Sequence, residues 1–122
     1  MFKFLVMIGL VVGTLSASDS SELCKLNKYL DIKTKQVTYA TYDYIVSFDV
    51  TGHKVQVGIP TSNGITVTTF EYVETKVDGT YGEYSIYKSY TGALVYLFNS
   101  GTKWLIGGNR IIEFNNCSIV GD

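Results

Sequence analysis

At 122 residues and a formal net charge of −1 at pH 7, the chain has room for one domain around a single modest core, and it lacks the basic excess of a nucleic-acid binder. Two cysteines and one histidine have none of the paired ligand spacing of a zinc site, so neither a metal nor another cofactor is expected. No Pro/Gly/Ser block or low-complexity tract divides the chain, and tyrosine, ten residues in all, is the one compositional excess.

The first 18 residues read as a secretory signal peptide. Lys3 precedes an apolar run from Phe4 to Val12 that continues to Leu15, and the small residues Ser16, Ala17 and Ser18 follow. The run is shorter than the ~20 apolar residues of a membrane span, and no basic stop-transfer cluster comes after it. Cleavage between Ser16 and Asp19 leaves residues 19–122 as a single secreted β domain, with no further membrane-inserting segment. Loss of Lys3 leaves 9 Lys+Arg against 11 Asp+Glu, a net charge of −2.

Asp19 to Leu30 fits one short N-terminal helix, with Asp19 and Glu22 at capping-box spacing and Leu23, Leu26 and Leu30 on one helical face. An extended arm is the alternative. Cys24 and Cys117 stand just inside the two ends of the mature domain, and an exported pair of this kind is expected to close as a disulfide. Two free thiols or an intermolecular bridge are the other outcomes.

From Val37 the period changes to two. Ala40, Tyr42, Tyr44, Val46, Phe48 and Val50 alternate with Thr41, Asp43, Ile45, Ser47 and Asp49, the pattern of a long strand with one buried and one wet face. Thr51 to Lys54 turns the chain into a partner strand through Val55, Val57 and Ile59. Asn63-Gly64 turns it again into the β-branched run Ile65 to Glu74, and Asp78-Gly79 closes that run. Four shorter runs follow: Tyr81 to Tyr90, Ala93 to Phe98, Lys103 to Ile106 and Arg110 to Phe114. Ala93 to Phe98 is apolar on both faces and reads as a strand covered on both sides. The sum is an all-β fold, a single antiparallel sandwich or small barrel of about seven strands.

No residue set that a reaction requires can be assembled from this pattern. His53, in a turn, has no identifiable partner. Glu71, Glu74 and Asp78, and Asp43 with Asp49, read as solvated charges that discourage edge pairing rather than as the paired carboxylates of a glycosidase. Asn116-Cys117-Ser118 is an N-glycosylation sequon, usable in a eukaryotic secretory route. Tyrosine suits recognition, with a large ring, a polar tip and few rotors to freeze. Strand parity places Tyr42, Tyr44 and Tyr84 with the buried set, and Tyr39 and Tyr87 on wetter faces as a candidate contact patch.

The function expected on these grounds is a secreted, non-enzymatic interaction module that binds an extracellular protein or glycan, with an effector aimed at host surfaces as one form of it. The alternative is a structural or surface protein that assembles with copies of itself. A small secreted inhibitor or hydrolase comes third.

Overall fold

The computed structural model describes residues 19–120, and the segment 1–18 expected from the sequence to be a signal peptide lies outside them. Nine strands follow one another: β1 (Ser20–Asp31), β2 (Val37–Tyr39), β3 (Ile45–Thr51), β4 (Lys54–Thr61), β5 (Gly64–Asp78), β6 (Gly82–Lys88), β7 (Leu94–Phe98), β8 (Lys103–Gly107) and β9 (Arg110–Ile119). Each strand from β3 to β9 pairs antiparallel with the next, and β1 pairs with both β3 and β9. The meander therefore closes into a barrel of eight strands, with β2 as an extra short strand beside β1.

The segment expected as a helix, Asp19 to Leu30, is strand from Ser20 onward. The leucines that fit a helical face lie in β1, where ladders to both neighbours satisfy the backbone and override the local pattern. The long strand expected from Val37 to Val50 divides into β2 and β3, and both lie along one edge of β1. Residues 40–44 loop out between them, tied down where Ala40 donates to Asn27 O at 2.9 Å and Leu26 donates to Tyr44 O at 2.8 Å. Ser62-Asn63 forms the β4–β5 turn, one residue earlier than Asn63-Gly64. Gly64 instead opens β5 at φ 114°, a backbone region that side chains disfavour.

The interior is packed by Cys24, Val46, Phe48, Val55, Val57, Phe70, Tyr87, Val95 and Phe114. Phe48 and Phe114 meet edge to face at 5.4 Å near its centre, and truncating either to alanine is expected to cost about 3–5 kcal/mol. Three register shifts re-aim the side chains. On β1, Asn27 is the extra residue between Leu26 and Lys28; on β9, Asn116 and Cys117 together face Cys24; on β5, the shift falls between Tyr72 and Glu74. Each bulge reverses which parity points inward. Thus Cys24 and Leu26 face the core from β1 before its bulge, and Tyr29 and Asp31 belong to the inner set after it.

Cys24 and Cys117 form the expected disulfide, closing a loop with a sequence separation of 93. The link joins two strands that are already laddered, at the seam where the barrel closes.

Candidate functional site

The outer side of β6, β7 and β8 carries a second apolar layer. The register sets Tyr84 opposite Phe98, Ile86 opposite Tyr96, and Tyr96 opposite Trp104. These residues share the face turned away from the core, because Val95 and Leu97, their neighbours in β7, pack inward. Tyr84 stacks on Tyr96 at 5.2 Å and 23°, and Tyr96 stacks on Trp104 at 5.9 Å and 21°. Tyr81, from the β5–β6 turn, stands edge-on to Trp104 at 5.2 Å and packs against Phe98. Beneath this cover Ile86 and Phe98 are each only 7% exposed although they point outward. Aromatic pairs of this geometry contribute about 0.5–1.5 kcal/mol each beyond the area they bury.

The row continues through a polar link. Trp104 Nε1 donates to Glu113 Oε1 at 3.0 Å, and Asn27 Nδ2 donates to Glu113 Oε2 at 2.7 Å. Glu113 thereby joins the indole on β8 to the β1 bulge, and the Trp104 N–H and the carboxylate are both satisfied. Tyr81 and the half-buried Tyr84, Tyr96 and Trp104 form a broad aromatic surface with hydroxyl tips. An array of rigid rings with polar ends is the chemistry of a recognition face.

The two tyrosines singled out from the sequence do not meet. Tyr39 is 63% exposed on β2, and its ring lies 5.6 Å from the Lys28 ammonium. Tyr87, expected on a wet face, is instead 7% exposed and belongs to the interior, where its ring contacts Tyr72 edge to face at 5.6 Å. The reason lies in and just after β6. Ser85 within the strand and Ser89 beyond its end, which make that face look wet, are small enough to leave room for the Tyr87 ring inside the barrel. The apolar face of Tyr84 and Ile86 is the outer one, covered by the aromatic layer. Tyr42, expected to be buried, is 65% exposed because it falls in the loop between β2 and β3.

The remaining candidates have local explanations. His53 is exposed in the β3–β4 turn, 5.6 Å from the Tyr72 ring. Asp78 Oδ1 accepts from the amides of Thr80 and Tyr81, at 2.6 and 3.1 Å, and so shapes the β5–β6 turn. Asp49 accepts from Ser21, while Asp43 and Glu74 lie at the edge of ion-pair range from Lys25 and Lys76, at 4.0 and 3.9 Å. Glu22, Cys24 and Cys117 gather closely enough to suggest a cation site, but the sulfurs are bonded to each other and Glu22 is paired with Lys103. Asn116 is exposed at φ 51° in the β9 bulge, and Ser118 of the same sequon is exposed too.

The outer aromatic row was missed from the sequence, although a signal for it existed. Ala93 to Phe98 is apolar on both faces, which requires something apolar on each side. The partners on the second side are Tyr84, Trp104 and Tyr81. Comparison with protein-family models, curated proteins and solved structures found no match.

Proposed function

We propose that the protein is a secreted, non-enzymatic recognition module that binds an extracellular protein or glycan through the outer aromatic face of β6, β7 and β8. The observation that carries this reading is the stacked row Tyr84, Tyr96 and Trp104 with Tyr81 at its side, on the solvent side of a barrel that has a separate core inside it. Export is supported by the order of charge, apolar run and small residues in the first 18 positions, and by a disulfide of the kind that persists in oxidising compartments. An effector directed at host surfaces is one such module. In a eukaryotic secretory route Asn116 would carry a glycan, and its exposure favours this.

The test is binding of the disulfide-bonded protein to arrays of extracellular proteins and glycans, with Tyr81→Ala and Trp104→Ala beside Tyr39→Ala. Saturable binding weakened by the first two substitutions and untouched by the third supports the outer face. Binding weakened only by Tyr39→Ala moves the contact to β2.

A second reading rests on β5. Its residues Gly64–Glu71 pair with β4 and Glu71–Asp78 with β6, so each half of this long strand is laddered on one side. Ile65, Val67, Val73 and Val77 are exposed along it. Apolar strand surface of this kind favours pairing with a second copy. Concentration-dependent assembly without ligand, abolished by Val67→Lys, would favour a self-assembling surface protein.

A further inference from the structure

One end of the barrel is open. Here β1 ends, β9 begins and the β6–β7 turn crosses over, and a cavity of about 570 Å³ enters the interior. Its walls are Ile59, Leu105 and Ile112, and the core residue Phe70, 2% exposed, also lines it. Ala93 and Gly107 are the small residues of the lining, and a longer side chain at position 93 would enter the space. The cavity is also accessible from the side, because Gly64–Phe70 of β5 pair with β4 alone and the ladder to β6 starts at Glu71. The volume falls within the ~300–1,000 Å³ range of small-molecule sites, which favour barrel mouths.

Two charges stand at the rim, and they differ in how they are engaged. Asp31 Oδ1 accepts from the amides of Lys33 and Thr34, at 2.9 and 3.0 Å, and so holds the turn after β1. Arg110 rests with its guanidinium 5.0 Å from the Tyr29 ring centre. Among the described residues no carboxylate lies within ion-pair distance of Arg110, and its side chain donates no hydrogen bond, although Asp31 is its partner across the ladder. A guanidinium oriented on an aromatic face with its donors unengaged is prepared for an oxyanion that can accept two N–H donors at once. The turns that carry both groups are joined where Ile32 donates to Asn109 O at 2.7 Å, which fixes the rim.

We infer that this barrel mouth binds a small amphipathic anion, a molecule with an apolar body and one carboxylate or sulfonate group. The apolar body lies against Ile59, Leu105, Ile112 and Phe70, and the anionic head lies on Arg110. The site is separate from the outer aromatic face and does not depend on its role.

The probes are 1-anilinonaphthalene-8-sulfonate, which has an apolar ring system and an anionic group, and the neutral N-phenyl-1-naphthylamine. Protein expressed from the full sequence with its disulfide formed is titrated with each, and decanoate is added as competitor. One saturable site displaced by decanoate is expected. Arg110→Gln, an exposed change, should weaken the sulfonate probe about tenfold or more, as loss of a charge-assisted pair does, and leave the neutral probe within about twofold. Ala93→Phe should weaken both probes by obstructing the cavity. Equal affinity for the sulfonate in wild type and Arg110→Gln overturns the inference, as does absence of saturable binding. Binding lost in Tyr81→Ala and retained in Arg110→Gln also overturns it, because the probe then sits on the outer face.

Discussion

Glu22 Oε1 and Lys103 Nζ lie 2.5 Å apart on the inner side of the barrel wall, joining β1 to β8 across the intervening β9. Lys103 is 5% exposed, donates also to Gly101 O at 3.0 Å, and stands 5.9 Å from the Phe48 ring centre. Removing one member leaves the other uncompensated in a poorly solvated place, which costs about 3–5 kcal/mol for a fully buried pair. Lys103→Met should fall toward the low end, since the Glu22 side chain retains 24% exposure. Urea denaturation of Lys103→Met, Glu22→Gln and the double variant checks this. The double variant should recover much of the loss, and additive costs would show that the two groups do not act as a pair.

The Cys24–Cys117 bridge acts mainly on the unfolded chain. Its sequence separation of 93 corresponds to about 4–5 kcal/mol in the chain-entropy description, an upper figure. The folded barrel keeps its β1–β9 ladder without the bridge, because that pairing runs from Glu22–Ile119 to Asp31–Arg110. The double Cys→Ala variant should therefore keep the wild-type far-ultraviolet spectrum and unfold at much lower denaturant. A midpoint shift worth less than about 1 kcal/mol would mean that the unfolded chain already holds its ends together.

Asn116 occupies a left-handed backbone conformation, φ 51°, at the bulge opposite Cys24. Asparagine and glycine tolerate that region and a β-branched residue does not, by roughly 1–2 kcal/mol. Asn116→Gly should thus be nearly neutral and Asn116→Val destabilising by about that amount in thermal unfolding. Ser118→Ala removes the sequon without touching this backbone. In a eukaryotic host, a glycosidase-sensitive mass increment present in wild type and absent in Ser118→Ala would establish the glycan, and an unchanged wild-type mass would dismiss it.

Asp31 is held below the usual aspartate range, first by the Thr34 amide, with the Lys33 amide, the Thr34 hydroxyl and the Arg110 charge acting in the same direction against a desolvation that raises it. A carboxylate with a lowered folded pKa stabilises the fold above its unfolded pKa, and that contribution disappears as pH falls through the folded value. Asp31→Asn should therefore be less stable than wild type at pH 7, and the two should converge below the ordinary aspartate range. A difference that stays constant down to pH 2 would assign the effect to packing of the turn.

Much of the fold was legible because a period of two and turn residues at short intervals leave few alternatives to an antiparallel meander. Gly52 and Gly108, at φ 61° and 58°, begin two-residue turns where the sequence placed turns. Inside and outside were less legible, since the bulges at Asn27, Asn116 and near Val73 each reverse parity and no local residue pattern announces them. Closure was hidden as well: β1 and β9 are distant in sequence, and only the two terminal cysteines hinted that they meet. The outer aromatic row escaped notice for a related reason. A strand face is assigned to the core by its apolar residues, and β6 has its larger apolar set on the outside.

That inversion gives a direct test on two tyrosines. Burial, followed by the neighbouring Tyr72, raises the Tyr87 phenol above the ordinary tyrosine value. The neutral phenol is then favoured in the folded state, so its contribution to stability is complete below the unfolded pKa and is lost as pH rises through the folded one. Tyr87→Phe should remove the slowest-rising part of the alkaline absorbance titration of the native protein. Tyr87→Ala empties space in the core and should cost about 3–5 kcal/mol, as other large aromatic truncations do. Tyr81, 53% exposed at the edge of the outer layer, should cost no more than about 1–2 kcal/mol on truncation, the value of its ring contacts. Equal costs for the two alanine variants would mean that the outer layer supports the barrel as strongly as the interior does, and the aromatic row would then be a structural element rather than a surface free to bind.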